Sequence, residues 1–374
     1  MGVRGSIVRH HAAAGKTALR TVHEESDDIV SIAIHLQFMS PEGSHDRIFG
    51  TAKSVVHNGI AQVVRDAAGA GAEVSVGYNN RSSYITTRQF MTAYNNIGLL
   101  EGLFAAQEAG ADVALIGCGN DPALLMAREA LDIPVLGITE SAMLLACSLG
   151  KRFAAVGVER DCADIVEANL EAYGLADKAI RRNPVRTADL EESLIPWFED
   201  PERVRTHVIP RFEEAALGAI EDGAEVIVTS CAGFAVLTRA GYHKVGGTAV
   251  PVIEGVLAGA HLARVFGTLR QLHGISTSKQ RTFKGLPPEL IAHFLAPVRT
   301  TNGATGDPLR TPAPPRWPAL DHDHPEHHPG GYRPCCNPGS PSPRSPWPSP
   351  PPAACGSPAA RTRRTTSPTS ASRR

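Results

Sequence analysis

The sequence predicts an α/β protein of two similar Rossmann-like or flavodoxin-like domains, their parallel sheets related by a pseudo-twofold axis, with an active site in the cleft between them. Three observations carry this expectation. Residues 28–298 alternate short runs rich in Val, Ile and Ala with amphipathic helical stretches, the pattern of βα units around parallel sheets. One strand-and-cysteine segment occurs twice with the same kinds of neighbours. No Walker loop, no GxGxxG after a strand and no HExxH points to a different cofactor-binding fold.

The candidate strands are IVSIAIHL (29–36), EVSVGY (73–78), DVALIGC (112–118), PVLGI (134–138), FAAVGV (153–158), EVIVTSC (225–231) and PVIEGV (251–256). Each is short, and rich in aliphatics where an exposed strand would alternate with polar residues, so they read as strands buried on both faces. GADVALIGCG from Gly110 and GAEVIVTSCA from Gly223 share Gly-Ala-acid-Val, then an apolar strand, then a cysteine. The amphipathic stretches EGLFAAQEA and EEAALGAIED precede them, and the apolar-Pro-Val strands IPVLG and VPVIE follow. A third copy without cysteine, GAEVSVGY from Gly71, marks the Gly-Ala-acid-Val part as a helix-to-strand joint whose glycine caps the preceding helix.

The 374 residues hold 29 prolines, and 18 of these fall in the last 74 residues. That segment has few aliphatics and cannot bury enough surface to offset its ordering entropy. Disorder is expected for 299–374, and flexibility for the extension 1–27. Between them, 28–141 with 254–298 should form the first domain, carrying Cys118, and 142–253 the second, carrying Cys231. The tail is basic, so the overall net charge of −1 leaves an acidic body and no surface suited to nucleic acid. No apolar stretch reaches the roughly 20 residues needed to cross a bilayer, so no membrane is expected. MGVRGSIVRHHAAAGKTALR has no apolar h-region, which places the chain in the cytoplasm by default. Its GKT is no phosphate loop, since His10 stands where the first glycine would be. Seven cysteines, an odd number, argue against a disulfide framework. DHDHPEHH (321–328), Cys335, Cys336 and Cys355 lie in the Pro-rich tail without a scaffold, and no metal site is expected there.

Cys118 and Cys231 each end a strand and precede a turn, so each thiol should lie at a carboxyl sheet edge, where open α/β folds bind ligands. The residues that follow, Gly119, Asn120 and Asp121 in one copy and Ala232 and Gly233 in the other, read as a turn into a helix N-terminus. Pro122 suits the first helical turn, with Asn120 or Asp121 as N-cap. Such N-termini lower a thiol pKa and bind anionic groups or a developing oxyanion. A lone cysteine at a strand end is more often a small buried hydrophobe. Two at equivalent repeat positions suit a different role: one thiolate removes a proton from a carbon and the opposed thiol returns one to the other face. Cys147 and Cys162 have no repeat partners and read as helix residues.

GCGNDP at Gly117, IPVLGITESA at Ile133, LGKRFAAVGV at Leu149, TSCAG at Thr229 and PVIEGVLAGAHLA at Pro251 together resemble the aspartate/glutamate/hydantoin racemase superfamily, and its hydantoin racemase branch most closely. The resemblance covers roughly residues 70 to 270. It implies a racemase without cofactor or metal, with Cys118 and Cys231 as base and acid. Gly119, Asn120, Asp121, Ser230, Ala232 and Gly233 would line a small-molecule substrate, and a homo-oligomer is expected. Amino-acid racemases of the superfamily place an Asn-Thr type pair beside the cysteine; GNDP and AGF stand here, which favours a cyclic imide such as a 5-substituted hydantoin or allantoin. The Asn-Pro-Asn-Thr type run after the first strand is replaced by HLQFMSPEG, and YNNRSSYITTRQF (78–90), with Arg81, lines the cleft or is simply loop. An aspartate/glutamate-type racemase, a single-cysteine decarboxylase or isomerase of small dicarboxylates, and a non-catalytic binding protein are the competing readings. Removing the residues after Arg299 should leave the melting temperature and activity of the full chain unchanged; a loss of either would mean that the tail docks on the body.

Overall fold

Two four-stranded sheets, all parallel, organise the computed structural model, which describes residues 8–9, 20–21 and 31–291 except 49, 52, 80, 84–85, 191–193 and 288. Most of the 1–27 extension and all of the 299–374 tail, with DHDHPEHH, Cys335, Cys336 and Cys355, lie outside the described residues. The first sheet is built from β1 (Ile32–Gln37), β2 (Ala72–Gly77), β3 (Val113–Ile116) and β4 (Val135–Gly137), in the order β2-β1-β3-β4. The second is built from β5 (Phe153–Gly157), β6 (Val185–Thr187), β7 (Val226–Thr229) and β8 (Val252–Ile253), in the order β6-β5-β7-β8. The two orders are the same path walked twice, so the sequence repeat is a structural duplication. In both sheets the chain reverses direction across the two central strands, and the cysteine-bearing strands β3 and β7 sit at that reversal.

Strands β3 and β7 are wholly buried, as their apolar runs predict. Strand β6 was not legible in the sequence. It is a three-residue edge strand after Pro184, and its Arg186 bonds to Asp222 instead of joining an apolar face. PVIEGV is a strand only at Val252–Ile253, because a helix begins at Gly255.

The major helices are α1 (Val55–Ala68), α2 (Gln89–Glu108), α3 (Leu124–Ala130), α4 (Ile138–Leu149), α5 (Arg160–Ala172), α6 (Ile209–Glu221), α7 (Ala235–Arg239) and α8 (Gly255–His273). Helices α2 and α6 end alike. Gly110 (φ 92°) and Gly223 (φ 98°) adopt a conformation that favours glycine and donate to the carbonyls of Gln107 and Ile220. The next N–H groups, of Ala111 and Ala224, reach back to Ala106 and Ala219, which accounts for the repeated Gly-Ala.

The sheets are tied by exchanged helices. Helix α4 continues from β4 of the first sheet but buries Ala142, Met143 and Ala146 among Phe153, Val226 and Val228 of the second. Helix α8 continues from β8 of the second sheet and lies on β1 and β3 of the first. Gly259 lets it approach Leu115, and Gly267 lets it approach Ile32 and Val113. The two helices also pack on each other.

Their N-termini are capped by buried carboxyls. Glu254 stands at the cap of α8 and accepts the N–H groups of Val256 (2.8 Å) and Leu257 (3.0 Å), with the Thr238 hydroxyl at 3.2 Å. The equivalent residue before α4 is Gly137, which has no side chain. Asp121 fills that space, accepting the N–H groups of Thr139 (3.1 Å) and Glu140 (2.8 Å); a Cβ on Gly137 would come within 2.7 Å of its Oδ2. Burial pushes both carboxyls up to about 7, against the pull of the donated N–H bonds. For Glu254 the sign follows: the stability it provides is full below about pH 4.5 and is lost as pH rises through 7. Glu254→Ala is expected to cost about 1–2 kcal/mol at pH 5, measured by urea unfolding, and less at pH 8; an equal cost at both would contradict the buried, neutral cap.

Candidate active site

Backbone geometry at the two strand ends sets the site. The Gly117 N–H donates to the Gln37 carbonyl at 2.9 Å, and the Ser230 N–H donates to the Val156 carbonyl at 3.0 Å, so each cysteine leaves its sheet at the same point. The two departing segments touch. A Cβ on Gly119 would overlap the Ser230 carbonyl and stand 2.7 Å from the Cα of Cys231. Only a residue without a side chain permits that approach. Cys118 and Cys231 are both half-buried free thiols, close enough that each negative charge would raise the cost of the other.

Each thiol meets the N–H of the residue two positions on: Asn120 for Cys118, and Gly233, at 3.4 Å, for Cys231. These donors favour thiolate, but burial outweighs them. It pushes Cys118 up to about 12 and Cys231 up to about 11. The sequence-based expectation of a lowered thiol pKa at a helix N-terminus is therefore corrected, and the reason is local. Helix α3 starts only at Leu124, with Asp121 (φ 45°) and Ala123 (φ 54°) in left-handed conformation, so Cys118 is not at its first turn. Asn120 and Asp121 are not its caps, and Pro122 lies ahead of its first turn.

Asp121 serves α4 instead and also accepts the Tyr173 hydroxyl at 3.0 Å. Asn120 donates to the Thr86 carbonyl at 3.3 Å and accepts from the Asn169 side chain at 3.0 Å. The Thr139 hydroxyl holds the Gly119 carbonyl at 2.7 Å. Gly119 and Asn120 are thus fixed by groups from α4, α5 and the segment 78–88. That segment, open in the sequence reading, borders the site through Thr86 and through Arg88, which pairs with Asp161. Arg81 is bound to Glu101 at 2.9 Å.

On the second copy, Ala232 and Gly233 form a 3-10 turn into α7, for which Cys231 is the N-cap. Ser230 is buried, and its hydroxyl has no hydrogen-bond partner. Cys147 is on α4 and Cys162 on α5, as the sequence predicts; Cys162 is also within electrostatic reach of Cys118 and Cys231. Among the described residues no group of three or more His, Cys, Asp or Glu could hold a metal ion, and no helix is long and apolar enough to cross a membrane.

Two further residues were not singled out from the sequence. Val113 pairs with Ile34 and Val226 with Phe153; six residues on from these partners stand Ser40 and Glu159, equivalent positions after the central strands β1 and β5. Ser40 faces His57 Nε2 at 3.0 Å, while the Gly43 N–H donates to Nδ1 at 3.3 Å, so Nε2 carries the ring proton. Burial holds His57 down to about 4, and it stays neutral. The HLQFMSPEG segment is accordingly a packed corner, with Phe38 4.5 Å from His57 and 5.7 Å from Tyr78.

The chain is thus a duplicated α/β scaffold whose two cysteine-bearing segments meet in a backbone contact. The sequence pattern of Asp/Glu/Hydantoin racemase matches residues 52–263, and the chain belongs to that family. It is 31% identical over 229 residues to a hydantoin racemase of Pseudomonas sp. (strain NS671), covering 60% of this chain and 85% of that one. It is 33% identical over 187 residues to a hydantoin racemase of Rhizobium meliloti, covering 50% and 71%. The allantoin racemase from Klebsiella pneumoniae superposes with a TM-score of 0.55 at 26% identity, over 69% of this chain and 94% of that one. The protein is a racemase, an isomerase. Gly119→Ala is expected to lower racemisation at least about a hundredfold without altering the circular dichroism spectrum, because the added methyl forces the two cysteine segments apart; activity within threefold of the parent would show that their contact is not needed.

Proposed function

We propose that the protein inverts a carbon-acid centre by transferring protons between Cys118, Cys231 and substrate, on a 5-substituted hydantoin or a related ureide such as allantoin. The observation that carries this is the equivalence of the two thiols. Each leaves a central strand at the same register, each receives the N–H two residues on, and their segments are in contact. The names of the similar proteins support the substrate class.

One thiolate takes the proton from the ring carbon, and the electron pair passes to the adjacent carbonyl. The opposite thiol then delivers its proton to the other face. The roles of the two sulfurs are exchanged at the end of the turnover, so the reverse enantiomer meets the complementary state. Burial raises both thiols, so either sulfur serves as base according to the enantiomer bound. The Asn120 and Gly233 N–H groups hold whichever sulfur is charged. Asn120, Ser230 and Gly233 contact the ring, whereas Asp121 acts from behind as the α4 cap.

Polarimetry on enantiopure 5-alkyl hydantoin, set against allantoin, aspartate, glutamate and maleate, tests the substrate. Cys118→Ser and Cys231→Ser should each lower racemisation by at least about a thousandfold, while retaining deuterium uptake from one face without inversion. With both thiols raised by burial, kcat/KM should climb about tenfold per pH unit from pH 7 to 9, because the thiolate is the scarce form. Racemisation at the parent rate in either variant, or a flat pH profile, would contradict the scheme.

A further inference from the structure

We infer that Glu159 is a specificity-determining charge at this site: it excludes anionic substrates and accepts an N–H of a neutral ring. The inference rests on the proposed function for its substrate class, but its electrostatic part stands on placement alone.

Glu159 stands two residues after the end of the central strand β5, and β5 lies beside β7, which delivers Cys231. Gly157 and Ser230 are in contact at the ends of these strands; a Cβ on Gly157 would stand 3.1 Å from Ser230 Oγ. Glu159 is two residues beyond the first and Cys231 one beyond the second. The Glu159 carboxylate receives the Cys162 thiol at 3.6 Å, from the first turn of α5, and Cys162 is itself within electrostatic reach of Cys118 and Cys231. Burial is the main reason that Cys162 and Cys231 are raised; the charge of Glu159 adds to it at both, and that of Glu254 at Cys231.

Neighbouring cations are occupied: Arg88 pairs with Asp161, Arg160 with Asp164, and Arg128 with Glu140. None of them is paired with Glu159. A carboxylate-bearing substrate would therefore bring like charge beside an uncompensated carboxylate, which disfavours it. A hydantoin-type ring offers N–H donors to Glu159 and a carbonyl to Ser230, whose buried hydroxyl otherwise has no partner. On the first sheet the equivalent position is Ser40, uncharged and held by His57.

Alkylation of Cys231 tests the charge without requiring turnover. Iodoacetate is anionic and iodoacetamide neutral, and the ratio of their rates at Cys231, followed by mass spectrometry on the full chain, reads the local potential. Glu159→Gln should raise the iodoacetate-to-iodoacetamide ratio at least about fivefold, and Glu167→Gln, which removes an exposed charge further along α5 without freeing a paired cation, should leave it unchanged. In the same Glu159→Gln variant, KM for a neutral hydantoin should rise with kcat changed less than about threefold. An unchanged ratio in Glu159→Gln, or an equal rise in Glu167→Gln, would overturn the assignment. A raised ratio in a chain whose parent racemises no hydantoin would sink the proposed substrate class while leaving the anion exclusion in place.

Discussion

The contact of Gly119 with the Ser230–Cys231 backbone is the constraint on which the site depends. Duplication alone gives two cysteines at equivalent edges of two sheets, and nothing in a duplication obliges those edges to meet. Here they meet because position 119 has no Cβ. The approach is backbone against side-chain-free backbone, so no rotamer change elsewhere can relieve an added atom. The Thr139 hydroxyl on the Gly119 carbonyl then ties the contact to α4. The proposed acid–base exchange between the two sulfurs would tolerate little error in geometry, and a rigid backbone contact is a suitable way to set it.

Helix exchange makes that contact durable. Helices α4 and α8 each leave one sheet and bury themselves on the other, so sliding the sheets apart would expose both helix faces at once. Both helices start beside the cysteine segments, and both starts are capped by a buried carboxyl. The two copies reach this by different residues. Glu254 caps its own helix, whereas Gly137 leaves room for Asp121, three residues after Cys118. Asp121 therefore couples the turn that carries one thiol to the helix that locks the sheets, and Tyr173 on the end of α5 adds a tie from the second copy.

Much of this was legible in the sequence because apolar runs and repeated punctuation are local signals. Seven strands, the duplicated Gly-Ala-acid-Val joint and the two cysteine positions follow from residue order alone. Strand β6 was not legible, since an edge strand of three residues carries no apolar pattern. The α3 start was misplaced because Pro122 and Asp121 mimic a helix entry, while the backbone there turns left-handed and gives the carboxylate to a helix further along the chain. The thiol pKa direction was misjudged for a related reason. Sequence shows the nearby N–H donors but not the burial that outweighs them. Glu159 and Ser40 became visible only when strand register aligned the two halves, because their surrounding sequences share nothing.

That last difference has a physical logic. The two enantiomers at a carbon centre need a base on either face, so the groups that move the proton must be equivalent in position and chemistry. In the proposed scheme, duplication supplies that equivalence in Cys118 with its Asn120 N–H and Cys231 with its Gly233 N–H. The ring that carries the carbon is not symmetric, and it must lie in one orientation for both enantiomers if one carbonyl is to take the electron pair. Groups that orient the ring must therefore differ between the halves. The chain shows this division: the sulfurs and their donors repeat, while the positions after the central strands diverge into a neutral Ser40–His57 pair and a charged Glu159–Cys162 pair. On the proposed scheme, symmetry is kept where protons would move and lost where the substrate would be held.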